Sequence, residues 1–250
     1  MISADLTGRT ALVTGASSGF GAHFTRVLAA SGATVIAAAR REDRLKALVK
    51  DVEAAGGRAA PLVLDVTDHG AVQKAFDGLG AVDIVVNNAG VSGATRALET
   101  PPDEWDWTYG VNTRGVWFVA QAAAQRMVSA GAGGSIINIA SITGERPAAG
   151  NVAYASSKAA VIHMTKNLAL DWARHGIRVN ALAPGYFQTD INEDFLAGDY
   201  GQTMLKRIPQ RRTGVFEELT GPLLLLASDA SSYMTGSVIA VDGGHLCSAL

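Results

Sequence analysis

From Thr10 to Gly21 the chain reads TALVTGASSGFG. The apolar run Thr10 to Val13 has the length and composition of a short buried strand, and it opens directly into the glycine-rich turn Thr14 to Gly21. Gly15, Gly19 and Gly21 allow a tight turn, close approach of the backbone to a phosphate, and close packing of the next helix on the sheet. That helix, expected from about Phe20 to Ser31, aims its first amides at an anion. The spacing is Gly-x3-Gly-x-Gly rather than Gly-x-Gly-x2-Gly. Its place between a first strand and a first helix makes it a candidate dinucleotide site lined by Gly15, Ser17, Ser18, Gly19, Phe20 and Gly21.

Outward from this turn, strands and helices alternate. A second strand over Thr34 to Ala39 ends in Arg40-Arg41. In dinucleotide folds an acid at this point takes the adenosine ribose hydroxyls, whereas an arginine suits a 2′-phosphate. Ala39 stands where the acid is expected, so Arg40, with Arg41 in support, favours NADP(H) over NAD(H). Arg41 to Arg44 reads equally as the solvated start of a helix over Asp43 to Ala55, whose Leu45, Leu48, Val49 and Val52 form a core-facing stripe. A third strand, Ala59 to Leu64, ends in Asp65-Val66, where Asp65 can accept from an adenine amino group or cap the next helix near Thr67-Asp68. A fourth, Asp83 to Val86, runs into Asn87-Asn88-Ala89-Gly90, whose small residues let the chain pass close to a cofactor and whose asparagines can tie neighbouring strands. A long helix follows Pro101-Pro102 and continues to about Ser129, with Trp105, Trp107 and Phe118 as packing residues. Asn112 and Gly115 weaken its middle, since glycine alone costs ~1 kcal/mol in a helix. A locally opened helix there exposes a carbonyl that can hold a water.

The segment SITGERPAAGNVAYASSK, Ser141 to Lys158, follows the apolar run Ser135 to Ala140, which reads as a buried strand. Tyr154 and Lys158 are at i and i+4, on one face of a helix expected from about Asn151 to Arg174. A free tyrosine titrates near ~10, and a neighbouring ammonium favours the phenolate. Tyr154 is then a usable acid or base, and Ser141, at a strand's C-terminal end, can face it across the crevice.

Composition narrows the class. A chain of 250 residues with 28 glycines, 48% hydrophobic residues and no evident linker suits one α/β domain, 1–250. A net charge of −2, with no Lys/Arg run longer than a pair, lacks the footprint of a nucleic-acid binder. The one cysteine, Cys247, excludes an internal disulfide framework and fits a reducing cytoplasm. MISADLTGRT has no signal-peptide core and no apolar run approaches the ~18 residues of a membrane span, so a soluble protein is expected. His23, His69, His163, His175 and His245 lack metal-ligand spacing, and no metal is expected.

TGASSGFG at Thr14, NNAG at Asn87, Asn112, Ser141, YASSK at Tyr154 and Pro184-Gly185 occur in an order that resembles the short-chain dehydrogenase/reductase family over nearly the whole chain. The resemblance implies a single Rossmann-type doubly wound domain, a seven-stranded parallel sheet with helices on both faces. It implies catalysis by Asn112, Ser141, Tyr154 and Lys158: Tyr154 as acid or base, Lys158 lowering its pKa and binding the nicotinamide ribose, Ser141 polarising the carbonyl, and Asn112 holding a relay water. The loop after a strand near Val179 to Leu182 would pass the nicotinamide, with Pro184, Gly185, Phe187 and Thr189 as contacts. Phe187 replaces a usual aliphatic residue and Ala140 a common serine. By position, 190–213 would be a substrate lid containing the basic residues Lys206, Arg207, Arg211 and Arg212, or a helical hairpin that merely packs. A helix over Phe216 to Ser228 and a strand over Ser237 to Val241 complete the chain, and the resemblance implies a homotetramer or homodimer.

The residues thus point to an NADP(H)-dependent oxidoreductase acting on CH–OH groups, interconverting a secondary alcohol and a ketone. The pocket candidates are Ser141, Thr143, Tyr154, Gly185, Tyr186, Ile191 and Phe195, with Asp65, Val66, Asn88, Ala89 and Gly90 on the cofactor side. Three rivals stand beside it: an NAD(H)-dependent alcohol dehydrogenase, a non-redox dehalogenase or lyase, and a non-catalytic dinucleotide sensor. The intact glycine loop speaks against the second, and Tyr154 with Lys158 against the third.

Overall fold

Strand β1 (Thr10–Thr14) is apolar on both faces, with Ala11 and Val13 pointing one way and Leu12 the other, all fully buried. Such a strand is stable only inside a sheet covered on both sides. It pairs in parallel with β2 (Thr34–Ala39) and β4 (Ile84–Asn87). With β3 (Arg58–Val63), β5 (Gly134–Ile139), β6 (Ile177–Pro184) and β7 (Val238–Val241), the order across the seven-stranded sheet is β3-β2-β1-β4-β5-β6-β7. The computed structural model describes residues 4–93, 95–147, 149–188 and 198–247, with the backbone alone at 199, 200 and 202.

The two helical layers follow from the two-residue alternation of the strands. On one face α1 (Gly19–Ala30), α2 (Glu42–Ala54) and α8 (Thr220–Ala227) bury Phe24, Leu28, Leu45, Leu48, Leu223 and Leu226 against Val13, Val35, Val86 and Ile137. On the other, α3 (His69–Gly78), α5 (Val116–Ala130) and α6 (Val152–Trp172) bury Val72, Phe76, Val119, Ala123, Met127 and Leu168 against Leu12, Val85, Ile136 and Val179. Helix α7 (Asp199–Leu205) lies between β6 and α8 in the chain. Among the described residues, no helix is long and apolar enough to cross a membrane.

The long helix expected after Pro101-Pro102 runs from α4 (Pro102–Tyr109) into α5 through one π-helical stretch, Gly110–Gly115, with Asn112 inside it. Trp105 and Trp107 do not pack inward as expected, being 37% and 46% exposed. The inward positions of that helix fall to Thr108, Val111 and Asn112, which leaves Trp105 to stack on Tyr109 outside, 4.9 Å between ring centres. Phe118 does pack, under the His69 ring and beside Arg114.

Strand order reverses between β1 and β4, so the crevice at their C-terminal ends is the place where a ligand meets the most loops. The backbone is already crowded there. A Cβ on Gly21 would sit 2.3 Å from the Gly15 carbonyl oxygen and 2.6 Å from Asn88 Nδ2. Gly21→Ala is therefore expected to lower stability by about 1–3 kcal/mol, read as a lower urea midpoint at unchanged slope. An unchanged midpoint would show that α1 can move off the turn freely.

Candidate active site

Helix α6 carries Tyr154 and Lys158 one turn apart at the crevice. Lys158 is 3% exposed; its Nζ donates to the Ile139 carbonyl, 2.8 Å away at the end of β5, and lies 5.7 Å from the centre of the Tyr154 ring. Ser141 follows β5 by two residues, and its hydroxyl lies near enough to that of Tyr154 to favour the phenolate. Thr143, expected to meet substrate, gives both its N–H (3.1 Å) and its hydroxyl (2.9 Å) to Ser141 Oγ. Asn112 is fully buried. Its side chain accepts from Val91 N and donates to Val91 O and Ser157 Oγ, and Ser157 donates to the Tyr154 carbonyl. The π-helical stretch, the loop after β4 and the start of α6 are thus laced through one amide.

The neighbouring half of the crevice has the shape of a dinucleotide cradle. Gly19, at φ 52°, would meet nothing within 4 Å if it carried a Cβ, and a Cβ on Gly90 would lie 3.5 Å from Lys158 Nζ. The turn is fixed from below by Thr14, whose Oγ1 accepts from the N–H groups of Asn88 and Ala89, and by Asn88 Nδ2, which donates to the Thr14 carbonyl. Phe20 faces the core side and packs edge-on against Phe187 and Phe216, each 5.3 Å between ring centres. Phe187 is therefore a core residue by its ring, 3% exposed, and only its backbone is left for a ligand. Gly185 N donates to Val241 O, and the Tyr186 ring lies 5.7 Å from that of His245. Thr189, Ile191 and Phe195 lie outside the described residues.

The two arginines after β2 differ in their contacts. Arg41 donates to Ser17 Oγ and Ser18 Oγ, both at 2.9 Å, which places its guanidinium over the glycine turn. Arg40 is exposed, and its charge is felt at Asp65. Burial alone would raise the Asp65 carboxyl, but the N–H and hydroxyl of Thr67 and the charge of Arg40 hold it below its ordinary value. Asp65 does not cap α3; Asp68 does, accepting from Ala71 N. Val66 is buried beside it. The open glycine face, the Arg41–Ser17–Ser18 group and the Lys158 side chain together fit a phosphorylated dinucleotide. Among the described residues, no three His, Cys, Asp or Glu side chains gather as a metal site.

Comparison with known proteins agrees with this geometry. The family model described as enoyl-(acyl carrier protein) reductase matches residues 15–245. The chain is 42% identical to the 3-oxoacyl-[acyl-carrier-protein] reductase of Thermotoga maritima, covering 96% of this chain and 98% of that one. A short-chain type dehydrogenase/reductase from Mycobacterium marinum superposes with a TM-score of 0.92 at 43% identity, covering 97% of each chain. The chain belongs to the short-chain dehydrogenase/reductase family. Another solved member, a gluconate 5-dehydrogenase from Burkholderia cenocepacia J2315 in complex with NADP and tartrate, superposes at 0.94 with 38% identity over 98% of both chains.

Within this short-chain dehydrogenase/reductase the electrostatics of the site are dominated by burial. Burial pushes the Tyr154 phenol above its ordinary 10, the nearby Ser141 hydroxyl pulls it back, and Tyr186 adds to the rise. The expected lowering by Lys158 is thus not the net result, because burial, the largest effect, acts the other way. The strand tie expected of the asparagines at the end of β4 is made by Asn87, whose Nδ2 donates to Asn138 Oδ1, and sequence reasoning missed its partners Asn138 and Thr165, where Asn138 Nδ2 donates to Thr165 Oγ1. Their signal was an asparagine inside an otherwise apolar strand, which is costly unless paired.

Burial also takes Lys158 from its usual 10.5 down to about 8. Unfolded, the lysine holds its proton up to 10.5; folded, only up to about 8, so between these values the unfolded state binds more protons and stability rises with pH. The gap is on the order of 3 kcal/mol. Lys158→Met removes that dependence. The stability of wild type relative to this variant should rise by that order between pH 7 and pH 10.5 in urea titrations. Parallel pH profiles would show that the folded lysine titrates normally.

Proposed function

We propose that this oxidoreductase interconverts a secondary alcohol and a ketone with NADP(H), and that residues 1–250 work as one dinucleotide-binding and catalytic unit. What carries the proposal is Tyr154 beside a buried Lys158, with the Ser141 hydroxyl nearby, at the crevice end that also holds the glycine turn. When bound, the nicotinamide supplies or accepts the hydride. Tyr154 gives its proton to the carbonyl oxygen in reduction and takes the alcohol proton in oxidation. Ser141 donates a hydrogen bond to the same oxygen, where charge develops. Lys158 contributes a positive charge that favours the phenolate and three donors for ribose hydroxyls. Asn112 spends its side chain on Val91 and Ser157, which leaves its role as water holder to its backbone carbonyl.

On the cofactor side, Gly15, Gly19 and Gly21 shape the pyrophosphate turn with Phe20 behind it. Asp65 and Val66 face the adenine, Asn88, Ala89 and Gly90 the ribose, and the backbone of Pro184, Gly185 and Phe187, with Thr189, the carboxamide. Tyr186, Ile191 and Phe195 belong to the substrate pocket, under a lid at 190–213. Arg41, held by Ser17 and Ser18, is the main 2′-phosphate ligand, and Arg40 a secondary one. The cytoplasm is the proposed compartment. The partly exposed Trp105, Trp107 and Leu170 mark a face suited to a dimer or tetramer.

Two measurements test this. NADPH oxidation with a panel of ketones should fall by about 100-fold or more in Tyr154→Phe, with NADPH affinity retained in a fluorescence titration. Full activity in Tyr154→Phe would remove it as the acid. In the same titration, Arg41→Ala should weaken NADPH by about 10- to 100-fold and leave NADH unchanged, with a smaller effect for Arg40→Ala. Equal loss for both nucleotides would place Arg41 outside the 2′-phosphate site.

A further inference from the structure

Asparagine is among the best residues at a helix N-cap, because its side-chain oxygen accepts from the first free amides. Asn151 stands at the N-cap of α6 and does not do this: no side-chain hydrogen bond caps that helix. Its amide is turned instead to the loop after β4, where Nδ2 donates to Ser92 Oγ at 3.1 Å. Ser92 gives its own proton to the Gly93 carbonyl, 3.0 Å away. That carbonyl can only accept, so the serine oxygen is left as an acceptor and Asn151 meets it with an N–H.

The receiving serine is held from both sides. Val91, before it, donates its N–H to the buried Asn112 side chain and accepts from the same amide at its carbonyl. Gly93, after it, is pressed on Glu104: a Cβ there would be 2.1 Å from Oε1. Thr95 donates to the other oxygen of that carboxylate at 2.5 Å. A side chain fixed this closely by its neighbours is preorganised for a ligand contact.

The pair also lies at the reacting end of the crevice. Asn151 precedes Tyr154 by three residues and Lys158 by seven, the spacing of one helix face. Ser92 follows Gly90 by two residues, and a Cβ on Gly90 would be 3.5 Å from Lys158 Nζ. Both side chains can be reached from solvent, Ser92 being exposed and Asn151 half-buried. Among the described residues the Asn151 amide has no second partner, so one N–H and its carbonyl oxygen remain for a ligand. An amide edge that offers a donor and an acceptor side by side matches a hydroxyl, which accepts and donates at once.

We infer that Asn151, held in place by Ser92, is a specificity-determining residue that binds a hydroxyl on the carbon next to the reacting one, so that the substrate is an α-hydroxy ketone and its reduced form a vicinal diol. This rests on the alcohol–ketone reading given above. The hydride and proton steps are those already described; the neighbouring hydroxyl only exchanges its hydrogen bonds with water for those of the amide. A ketone without that hydroxyl leaves the amide unpaired in the occupied site and is disfavoured for that reason.

The test compares ketones that differ only by one hydroxyl beside the carbonyl: acetoin against butanone, and the best ketone of the panel against its α-hydroxy derivative. With NADPH, the wild type should favour the hydroxylated member by about tenfold in kcat/KM, chiefly through KM. Asn151→Ala and Ser92→Ala should each bring that ratio down to about one, with NADPH affinity retained in the fluorescence titration. Asn151→Ser separates recognition from helix capping. Serine caps a helix as well as asparagine does but has no amide edge, so the ratio should stay low in that variant. Equal kcat/KM for both members in the wild type, an unchanged ratio in either alanine variant, or a recovered ratio in Asn151→Ser would each overturn the inference and leave the alcohol–ketone reading standing. If the wild type binds NADPH and reduces no ketone of the panel, that reading fails and the inference falls with it.

Discussion

A lysine ammonium removed from water, with one strand-end carbonyl as its described partner, is the constraint to which the crevice is fitted. An isolated charge in such a place costs several kcal/mol, which the surrounding packing must offset. The fold meets this with small and rigid neighbours. Gly144 brings a turn flush with the lysine backbone, and the Ile139 carbonyl is fixed by its place at the end of a central strand. The same burial that lowers the lysine raises the tyrosine beside it, so two proton affinities that are close in water are drawn apart in the crevice.

Beneath the lysine, polar side chains do the work of holding strands in register where backbone pairing ends. Thr14 and Asn88 join β1 to the loop after β4, Asn87 and Asn138 join β4 to β5, and Thr165 ties that pair to α6. Apart from the half-buried Asn88 these are buried groups, and each makes at least one hydrogen bond to a different element, although Asn87 Oδ1 is left without a partner. The crevice floor is consequently a network rather than a row of independent loops, and Asn112 extends it to the π-helical stretch.

How much of this was legible in the sequence depended on whether a local rule applied. The second strand was found residue for residue, Thr34 to Ala39, because an unbroken apolar run between a Gly-Ala turn and an arginine pair has one reading. The weak middle of the long helix was visible in Asn112 and Gly115, and it became a π-helical stretch. Trp105 and Trp107 were misjudged because aromatic size suggests burial, while helical phase decides it, and the inward phase belonged to Thr108 and Asn112. Adjacency in sequence likewise does not say which of Arg40 and Arg41 turns its guanidinium to Ser17 and Ser18; in the folded chain it is Arg41. The contacts that the Thr143 N–H and hydroxyl make with Ser141 Oγ were beyond any motif, since they depend on the 3-10 turn Ile142–Gly144.

Phe20 and Phe187 were each noticeable only as bulky residues in glycine-rich or loop surroundings; in the folded chain they are neighbours. Phe20 belongs to the first turn of α1, Phe187 to the stretch leaving β6, and Phe216 to the approach to α8, and the Phe20 ring meets each of the other two edge-on. The glycine turn and the segment after β6 therefore share a hinge pin, and neither can shift across the crevice without disturbing the same aromatic ring.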